Sequence, residues 1–325
     1  MLTRYLSMLA VLFVAGMSIA SEPVSKDIPA PPAAILKGPE SLDDLKAFQK
    51  HTKILVEKLL PTTVCLQVGG ASGSGVIISE DGLILTAGHV SGEPNKKIKI
   101  ILHDGRRVDG ITLGHWNQID SGMAKITTEG KWPFTEMGVS KDLKPGMWCM
   151  SAGHPGGHKK DRPPVVRVGK IGTVNGSFVQ SDCTLVGGDS GGPLFDMTGK
   201  VIGIHSRIGL PLSANMHVPV DTYRETWDQL VKGDKIGENP VWLGVRADAD
   251  AKNCKLGDVT PESPAAKAGL KAGDVVMKFG GKDVGSYTDM VKLLLKQKPG
   301  DEVPLEVKRG DETKEMKIIL GKRKD

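Results

Sequence analysis

The spacing of hydrophobic residues divides the chain into regions of different period. Between residues 41 and 60, apolar residues recur at helical intervals, and Ser41 stands three residues before Asp44, which is capping-box spacing. From about residue 62 to residue 220, short apolar runs alternate with turn residues, and the pattern leaves no room for crossover helices. The predicted strands are residues 64–68, 75–78, 83–86, 98–102, 147–152, 165–174 and 201–204. This region therefore predicts an antiparallel β-sandwich or barrel.

The remainder of the chain has a mixed pattern. A helix is predicted over residues 221–231, and residues 233–240 have the composition of a linker. Residues 241–323 combine strands, a helix over residues 286–298 and a hairpin of strands 303–308 and 313–320. We therefore expect a mostly β domain at residues 41–232, including its amino-terminal helix, followed by a small α+β domain.

The first twenty residues have the layout of an export signal. Arg4 precedes an apolar run over residues 8–20, and that run is shorter than the roughly 20 residues that span a bilayer. Ser18 and Ala20 are small residues at the positions that signal peptidase reads, so cleavage after Ala20 is predicted. Residues 21–40 are rich in Pro and Ala and are predicted to be a flexible leader. A periplasmic or extracellular protein without a stable membrane span after cleavage is expected.

Composition excludes some classes of function. The 39% hydrophobic and 25% charged residues suit a packed core, which excludes wholesale disorder. The net charge is only +5 and the basic residues are scattered without interleaved aromatics, so no nucleic-acid partner is expected. A zinc site is not expected, because the cysteines are widely spaced without a CxxC pair, and neither another metal nor an organic cofactor is implied. Free thiols in the core are favoured over disulfides for these residues: Cys65, Cys149, Cys183 and Cys254.

The glycine-rich segment around Ser190 is the strongest candidate for chemistry. Its sequence, GGDSGGP over residues 187–193, lets the backbone turn tightly around a serine, although such a stretch alone could be an ordinary turn. A serine nucleophile needs a base, and His89 directly follows an apolar strand that would hold it rigidly. Asp120 stands between apolar positions, where a carboxylate needs a partner such as the imidazole Nδ1–H. The sequence therefore predicts Ser190 as nucleophile, His89 as base and Asp120 as its orienting group.

The order His89, Asp120, Ser190, with TAGH before the histidine and GDSGGP around the serine, resembles chymotrypsin-like serine proteases. The surrounding motifs at residues 73–86 and 180–204 are similar to those of the HtrA/Deg family. The resemblance implies a double β-barrel and an oxyanion hole formed by the N–H groups of Gly188 and Ser190. The family usually has Asn at the position of Asp189. Digestive relatives pair an Asp there with a new amino terminus, and no such activation segment is visible here, so the role of Asp189 is open.

The resemblance also implies a specificity pocket. Its predicted side chains are Thr184, Ile204 and His205. Thr184 stands where trypsin-like enzymes carry an acidic residue. Without that charge, a small or medium aliphatic residue is expected before the cut. Asp182 lies nearby and would overturn this expectation if its side chain turned into the pocket.

The carboxy-terminal domain resembles a PDZ domain in its bacterial protease arrangement. The resemblance is carried by the SPAAKAGLKAGD stretch over residues 263–274. It implies a carboxylate-binding loop for chain-terminal peptides, formed by Trp242, Leu243, Gly244 and Val245. Met290 and Leu294, four residues apart on the predicted helix, would line the side-chain pocket, although either could equally be a core residue.

Together these features predict an exported serine endopeptidase that cleaves unfolded or damaged proteins, with the PDZ domain recruiting or regulating. The family resemblance implies a homotrimer or larger homo-oligomer. One alternative is a peptide-binding chaperone or scaffold whose protease fold is vestigial. Another is a processing protease of narrow specificity.

Overall fold

The computed structural model describes residues 22–209, 214–237 and 241–322. The predicted signal segment and its cleavage position lie outside these ranges. Among the described residues, none of the helices has both the length and the apolar composition that spanning a bilayer requires.

The segment predicted as a flexible leader, residues 21–40, is instead packed on the protein from residue 22 onward. It contains a short 3₁₀ turn and helix α1 (Ala33–Lys37). The N–H of Val24 donates to the carbonyl of Phe134 at 2.9 Å, and Ile28 and Ile35 are buried. The prediction was wrong because Ile28 and Ile35 follow no helical or strand period in the sequence, so nothing local marks them as core residues. In the structure both side chains pack in the main apolar cluster.

Helix α2 (Leu42–Leu59) begins where the sequence predicted. The Ser41 side chain accepts a hydrogen bond from the Asp44 N–H, and the Asp44 carboxylate accepts one from the Ser41 N–H, both at 3.1 Å. This reciprocal pair is a capping box with Asp in place of Glu. The inner face of the helix is anchored by His51, whose Nε2 lies 2.7 Å from the Met197 carbonyl oxygen.

The first barrel contains six antiparallel strands with β5 and β6 closing it. These strands are β1 (Thr63–Val68), β2 (Ala71–Ile77), β3 (Leu83–Ala87), β4 (Lys97–Ile101), β5 (Arg107–Trp116) and β6 (Ser121–Ile126). The sequence pattern predicted the first four strands and missed the last two. Small residues such as Gly110, Gly114 and Gly122 interrupt the apolar pattern in β5 and β6, because other segments of the same chain approach the backbone closely there.

The second barrel is also closed by six strands. These strands are β7 (Trp148–Gly153), β8 (Val165–Val174), β9 (Val179–Ser181), β10 (Pro193–Asp196), β11 (Val201–Ile208) and β12 (Asn215–Pro219). The predicted helix 221–231 is broken at Thr226 into α4 (Val220–Glu225) and α5 (Trp227–Lys232). The hydroxyl of Tyr223 on α4 donates to the Thr86 carbonyl at 2.6 Å, which ties α4 to the first barrel.

The predicted linker 233–240 is partly structured. Lys235 and Ile236 form strand β13, which pairs in parallel with the end of β5 at His115 and Trp116. Residues 238–240 lie outside the described residues. The first part of the linker therefore belongs to the sheet of the first barrel.

The carboxy-terminal domain has the expected α+β composition. Its elements are β14 (Val241–Trp242), β15 (Val245–Ala247), β16 (Leu256–Val259), α6 (Pro264–Lys267), β17 (Val275–Phe279), β18 (Lys282–Asp283), α7 (Tyr287–Leu294), β19 (Glu302–Arg309), β20 (Glu312–Ile319) and β21 (Gly321–Lys322). The predicted hairpin is β19 and β20, which pair in register over their full lengths. Helix α7 is shorter than the predicted 286–298 and is capped by Ser286, whose side chain accepts from the Asp289 N–H.

Helix α7 contacts both domains. Val291 is buried and Leu295, just after the helix, is partly buried, and both pack in the same apolar cluster as Trp227 of α5. The ammonium group of Lys292 pairs with the Glu225 carboxylate at the end of α4. The other face of α7 packs on the core of its own domain through Met290. This helix therefore joins the carboxy-terminal domain to the two barrels.

Candidate active site

His89 and Asp120 are brought together by the pairing of two strands. His89 lies on the single-turn helix α3 (Gly88–Ser91) directly after β3, and Asp120 directly precedes β6. Strands β3 and β6 are antiparallel neighbours, with Ala87 opposite Ser121. The His89 Nδ1 lies 2.9 Å from Asp120 Oδ1 and 3.0 Å from Oδ2. A donating Nδ1–H leaves Nε2 as the free, proton-accepting nitrogen.

The backbone of Asp120 is in the left-handed region, with φ at 67°. Asp and Asn tolerate this conformation better than most residues. The Asp120 N–H donates to the Trp116 carbonyl, and its own carbonyl accepts from the Gly88 N–H, both at 2.8 Å. These two backbone hydrogen bonds hold the turn in place, and the turn holds the Asp120 carboxylate against the His89 imidazole.

Ser206 is a site residue that sequence reasoning missed. Its hydroxyl on β11 donates to Asp120 Oδ2 at 2.6 Å, although the two residues are far apart in the sequence. No motif marks Ser206. The only signal is that it directly follows the five buried residues of β11 and is the first half-buried position of that strand.

Electrostatics favour a charged orienting group and a basic imidazole. Burial pushes the pKa of Asp120 up, but hydrogen bonds from His89 and Ser206 lower that pKa below its usual value. The hydrogen bond to Asp120 raises the pKa of His89 above 6.5. The pair therefore suits a base that takes up a proton while the carboxylate stabilises the resulting imidazolium.

Ser190 lies in the turn before β10, against the first barrel. Its carbonyl accepts a hydrogen bond from the Ser74 N–H at 2.7 Å. A Cβ added to Gly73 would lie 2.6 Å from the side chain of Val90, the neighbour of His89, and 3.1 Å from the Ser190 carbonyl oxygen. The serine and the histidine thus flank the same strand. Among the described residues no hydrogen bond joins Ser190 Oγ to His89, a contact that often tightens only when substrate binds.

The backbone around Ser190 is fixed from several directions. The Gly187 carbonyl accepts from the Gly156 N–H at 2.7 Å, and the Gly188 carbonyl accepts from the Ser74 hydroxyl at 2.8 Å. Gly188 has φ at 97°, which only glycine adopts readily. Within the described ranges, no protein group accepts from the N–H of Gly188 or of Ser190. Both amides are therefore available as donors for an oxyanion.

A cavity of about 140 Å³ lies beside Ser190. Its lining differs from the predicted pocket, and it consists of Leu185, Val186, Gly187, Ser190, Ser206, Arg207 and Ile208. Thr184 is exposed and outside the lining, while Ile204 is fully buried in the core between the barrels. His205 is also fully buried, and its Nδ1 lies 2.9 Å from Nδ1 of His217. Ile204 and His205 therefore face the interior of the fold rather than this cavity, and Thr184, which is not in a strand, is exposed outside it.

The charge of this cavity comes from Arg207, and among the described residues no carboxylate lines it. Asp182 is exposed, and its Oδ1 accepts from the Lys170 N–H on β8 at 2.6 Å. The Asp182 side chain is therefore held away from the cavity.

All four cysteines are buried free thiols, and the sulfur atoms of Cys149 and Cys183 are 4.0 Å apart. Within the described ranges, His, Cys, Asp and Glu side chains form no group of three or more that could hold a metal ion.

The loop predicted to bind carboxylates is a tight turn between β14 and β15. Gly244 has φ at 84°, and a Cβ there would lie 2.2 Å from Cβ of Ser263. The Gly244 carbonyl accepts from the Thr260 N–H, and the Leu243 carbonyl accepts from the Ala265 N–H, both at 2.9 Å. The turn is therefore held rigidly directly before β15.

The two groove side chains predicted on α7 have different environments. Met290 is fully buried in the domain core, where its sulfur lies 3.8 Å from Sγ of Cys254, so it is a core residue rather than a pocket residue. Leu294 is half-buried and packs on the same core. Sequence reasoning missed Tyr287, whose hydroxyl donates to the Val245 carbonyl at 3.0 Å and links α7 to β15.

Two family models match the chain. The model of the trypsin-like peptidase domain matches residues 73–204, and that of the PDZ domain matches residues 241–320. The first range lies within the two barrels, and the second covers nearly all of the carboxy-terminal domain.

The curated relatives of the chain described below have the same name. A probable periplasmic serine endoprotease DegP-like of Halomonas elongata is 34% identical over 273 residues, covering 77% of this chain and 56% of the relative. A protein of the same name from Pseudomonas fulva is 28% identical over 98% of this chain and 75% of the relative. The chain spans little more than half the length of the first of these relatives.

Solved structures support the fold. An HtrA-type protease AlgW with tripeptide has a TM-score of 0.64 and 23% identity, over 83% of this chain and 97% of that one. The serine endoprotease of Yersinia pestis has a TM-score of 0.58 and 23% identity, over 84% and 98%. Two closed β-barrels with a hydrogen-bonded His–Asp pair, followed by a small α+β domain, agree with these matches, and the chain therefore combines a trypsin-like peptidase domain with a PDZ domain and is similar to DegP-like endoproteases.

Proposed function

We propose that the protein is an exported serine endopeptidase that hydrolyses peptide bonds of unfolded or damaged proteins. The observation that carries this proposal is the His89–Asp120 hydrogen bond in the same cleft as Ser190. The free N–H groups of Gly188 and Ser190 complete the set of base, orienting group, nucleophile and oxyanion donors that acyl transfer needs.

The reaction follows from these positions. The neutral His89 Nε2 takes the proton of the Ser190 hydroxyl while Oγ bonds to the carbonyl carbon of the substrate. The carbonyl oxygen becomes an oxyanion that accepts hydrogen bonds from the N–H groups of Gly188 and Ser190. The imidazolium, stabilised by Asp120, then protonates the leaving amine as the peptide bond breaks. Water, deprotonated by His89, releases the acyl group and restores the serine.

The cavity beside Ser190 supports cleavage after small or medium aliphatic residues. Its 140 Å³ is close to the roughly 150 Å³ of an apolar cavity that holds one benzene molecule. Arg207 would repel a basic side chain, and the described lining residues include no carboxylate that would offer such a side chain a counter-ion.

In a peptide library, we expect cleavage after Val, Ala, Ile or Leu to exceed cleavage after Lys or Arg by at least about tenfold in kcat/KM. The measurement is mass spectrometry of the products. Substitution of Arg207 by Glu is expected to raise the share of basic residues. A profile of the unchanged protein dominated by Lys or Arg would contradict the assignment of this cavity.

The PDZ domain supports recruitment of peptides by their carboxy termini. A terminal carboxylate would meet the backbone of the Trp242–Val245 loop, and the peptide would add as a strand beside β15. The AlgW structures carry a tripeptide or a decapeptide, which agrees with this class of ligand. Polypeptide substrates and carboxy-terminal peptides are therefore the proposed partners.

Location and assembly are part of the proposal. Relatives are named periplasmic, and the charged-then-apolar start of the sequence supports export with cleavage after Ala20.

The family resemblance supports a trimer or larger homo-oligomer, which light scattering on the exported form tests directly. A vestigial protease fold is not favoured, because the relatives are named serine endoproteases and the proposed base is hydrogen-bonded to its proposed orienting group. A dedicated processing enzyme would carry the same groups and differs from the proposal only in the breadth of its cleavage.

Labelling with a fluorophosphonate tests the proposed nucleophile. We expect one adduct per chain, mapped by peptide sequencing to Ser190, because only an activated serine reacts with this probe. The Ser177→Ala variant, which changes an exposed serine elsewhere in the second barrel, is the matched control and is expected to label fully. An adduct at another serine, or no adduct together with no casein hydrolysis, would contradict the proposal.

A further inference from the structure

Asp189, immediately before Ser190, is a fully buried carboxylate whose role the sequence left open. A Cβ added to Gly153 would lie 2.5 Å from its Oδ1, so the carboxylate fits directly against the end of β7. A buried carboxylate is costly unless it is paired and hydrogen-bonded. Its partners therefore indicate what it is for.

One oxygen of Asp189 has two partners. Its Oδ2 lies 2.9 Å from Nη2 of Arg167 and accepts from the Val186 N–H at 3.0 Å. The Asp189 N–H in turn donates to the Val186 carbonyl at 3.0 Å. Residues 186–189 are therefore closed into a small loop, and Gly187 and Gly188 form its tip.

Arg167 connects this loop to the sheet. It lies on β8 opposite Ser151 of β7, and its side chain is only 21% exposed. Among the described residues, Asp189 is the one carboxylate within ion-pair distance of Arg167. The nearby Arg162 is engaged elsewhere, because its Nη2 donates to the carbonyls of Pro155 and Gly157. Arg167 is thus the cation dedicated to Asp189.

We propose that Arg167 is a positioning residue: by holding the Asp189 carboxylate, it fixes the 186–190 backbone that carries Ser190 and the oxyanion donors. This inference rests on the proposed protease activity. The Gly188 N–H lies one residue before Asp189 and the Ser190 N–H one residue after it, so movement of Asp189 would displace both amides. The pair lies within the chain, so the loop is held without a chemically new amino terminus.

Four proteins test the proposal: the wild type, Arg167→Met, Asp189→Asn and the double variant. Loss of Arg167 leaves an unpaired buried carboxylate, and we expect kcat for an aliphatic peptide anilide to fall about 100-fold, as for loss of an oxyanion donor. KM is expected to stay within about threefold, because the substrate-binding cavity is unchanged. In the double variant, the uncharged side-chain amide that replaces the carboxylate still accepts from the Val186 N–H, so kcat should return to within about tenfold of the wild type.

Loss of kcat at a nearly unchanged KM, in an Arg167→Met protein that its unfolding midpoint shows to be folded at the assay temperature, is the result that a merely structural arginine would not give. Arg106→Met, which changes an exposed arginine paired with Asp104 on the first barrel, is the matched control and should leave kcat unchanged. Wild-type kcat in Arg167→Met, or a double variant no faster than Arg167→Met, would overturn the proposal. If Arg167→Met does not fold, the double variant decides: a kcat within about tenfold of the wild type supports the proposal, and a loss of about 100-fold or more overturns it.

Different results would contradict the proposed protease function and the proposed role of Arg167. A wild type that neither hydrolyses casein nor reacts with fluorophosphonate contradicts the proposed function. The thermal unfolding midpoints of the same four proteins then test the pair by themselves. Additive shifts would overturn the coupling between Arg167 and Asp189, and a double variant more stable than Arg167→Met would support it.

Discussion

The Ser190→Ala variant is expected to lose about 10⁶-fold in kcat on casein-derived peptides, the size of loss seen when a triad serine is removed from another protease. The hydroxyl is the group that forms the acyl bond, and the backbone of the turn is held by other contacts. Among these, Ser74 binds the carbonyls of residues 188 and 190. The unfolding temperature should therefore remain within about 2 °C of the wild type, since the substitution removes only a half-buried hydroxyl and leaves these backbone contacts in place.

The measurement combines steady-state hydrolysis with thermal unfolding monitored by circular dichroism. Binding of a carboxy-terminal peptide to the PDZ domain should persist in Ser190→Ala, which shows that the protein is intact. Residual hydrolysis within about tenfold of the wild type would mean that another residue is the nucleophile.

The Asp120→Asn variant is expected to lose about 10⁴-fold in kcat, as in other Ser-His-Asp enzymes. Asn tolerates the left-handed backbone at this position, where φ is 67°, so the turn should survive. Its amide group would face Nδ1 of His89 and favour the tautomer with the proton on Nε2. That nitrogen could then no longer accept the serine proton.

The same variant should also move the pH profile. Activity requires neutral His89, so kcat/KM rises with pH as this histidine loses its proton. Asp120 raises the pKa of His89, so the acid limb of the wild type should lie above pH 6.5. Without the carboxylate charge the pKa falls, and the residual activity should extend to lower pH. Asp142→Asn, at an exposed aspartate, is the matched control, and an acid limb that stays in place in Asp120→Asn would contradict the assigned pair.

Much of the architecture was predictable because short apolar runs bounded by turn residues indicate strands. The runs that became β1 to β4 contain Val, Ile and Leu at spaced positions, whereas β6 reads Ser-Gly-Met-Ala-Lys-Ile and has no such signal. Close contacts with β3 and α3 require small residues in this strand, because a Cβ at Gly122 would lie 2.3 Å from the Ser91 hydroxyl oxygen. Such a constraint is tertiary and cannot be read from local sequence.

The three proposed catalytic side chains could be named from sequence because each stands in a short, chemically demanding segment. The supporting residues could not. Ser206 and Arg167 reach Asp120 and Asp189 only after β11 and β8 are paired into the second barrel. His205 was assigned to the pocket, yet its direction depends on the partner strand β12, where His217 meets it. Side-chain direction at the end of a strand is set by pairing register rather than by residue type.

The contacts of helix α7 with the barrels affect any experiment that uses the carboxy-terminal domain as a separate fragment. A separately expressed carboxy-terminal domain would remove Val291 and Leu295 from the apolar cluster that they share with the barrels and would lose the charge pair between Lys292 and Glu225. Exposed apolar side chains of this kind favour self-association. Peptide affinities measured on such a fragment would therefore describe an altered surface, and calorimetry on full-length chains is the sounder basis for ligand ranking.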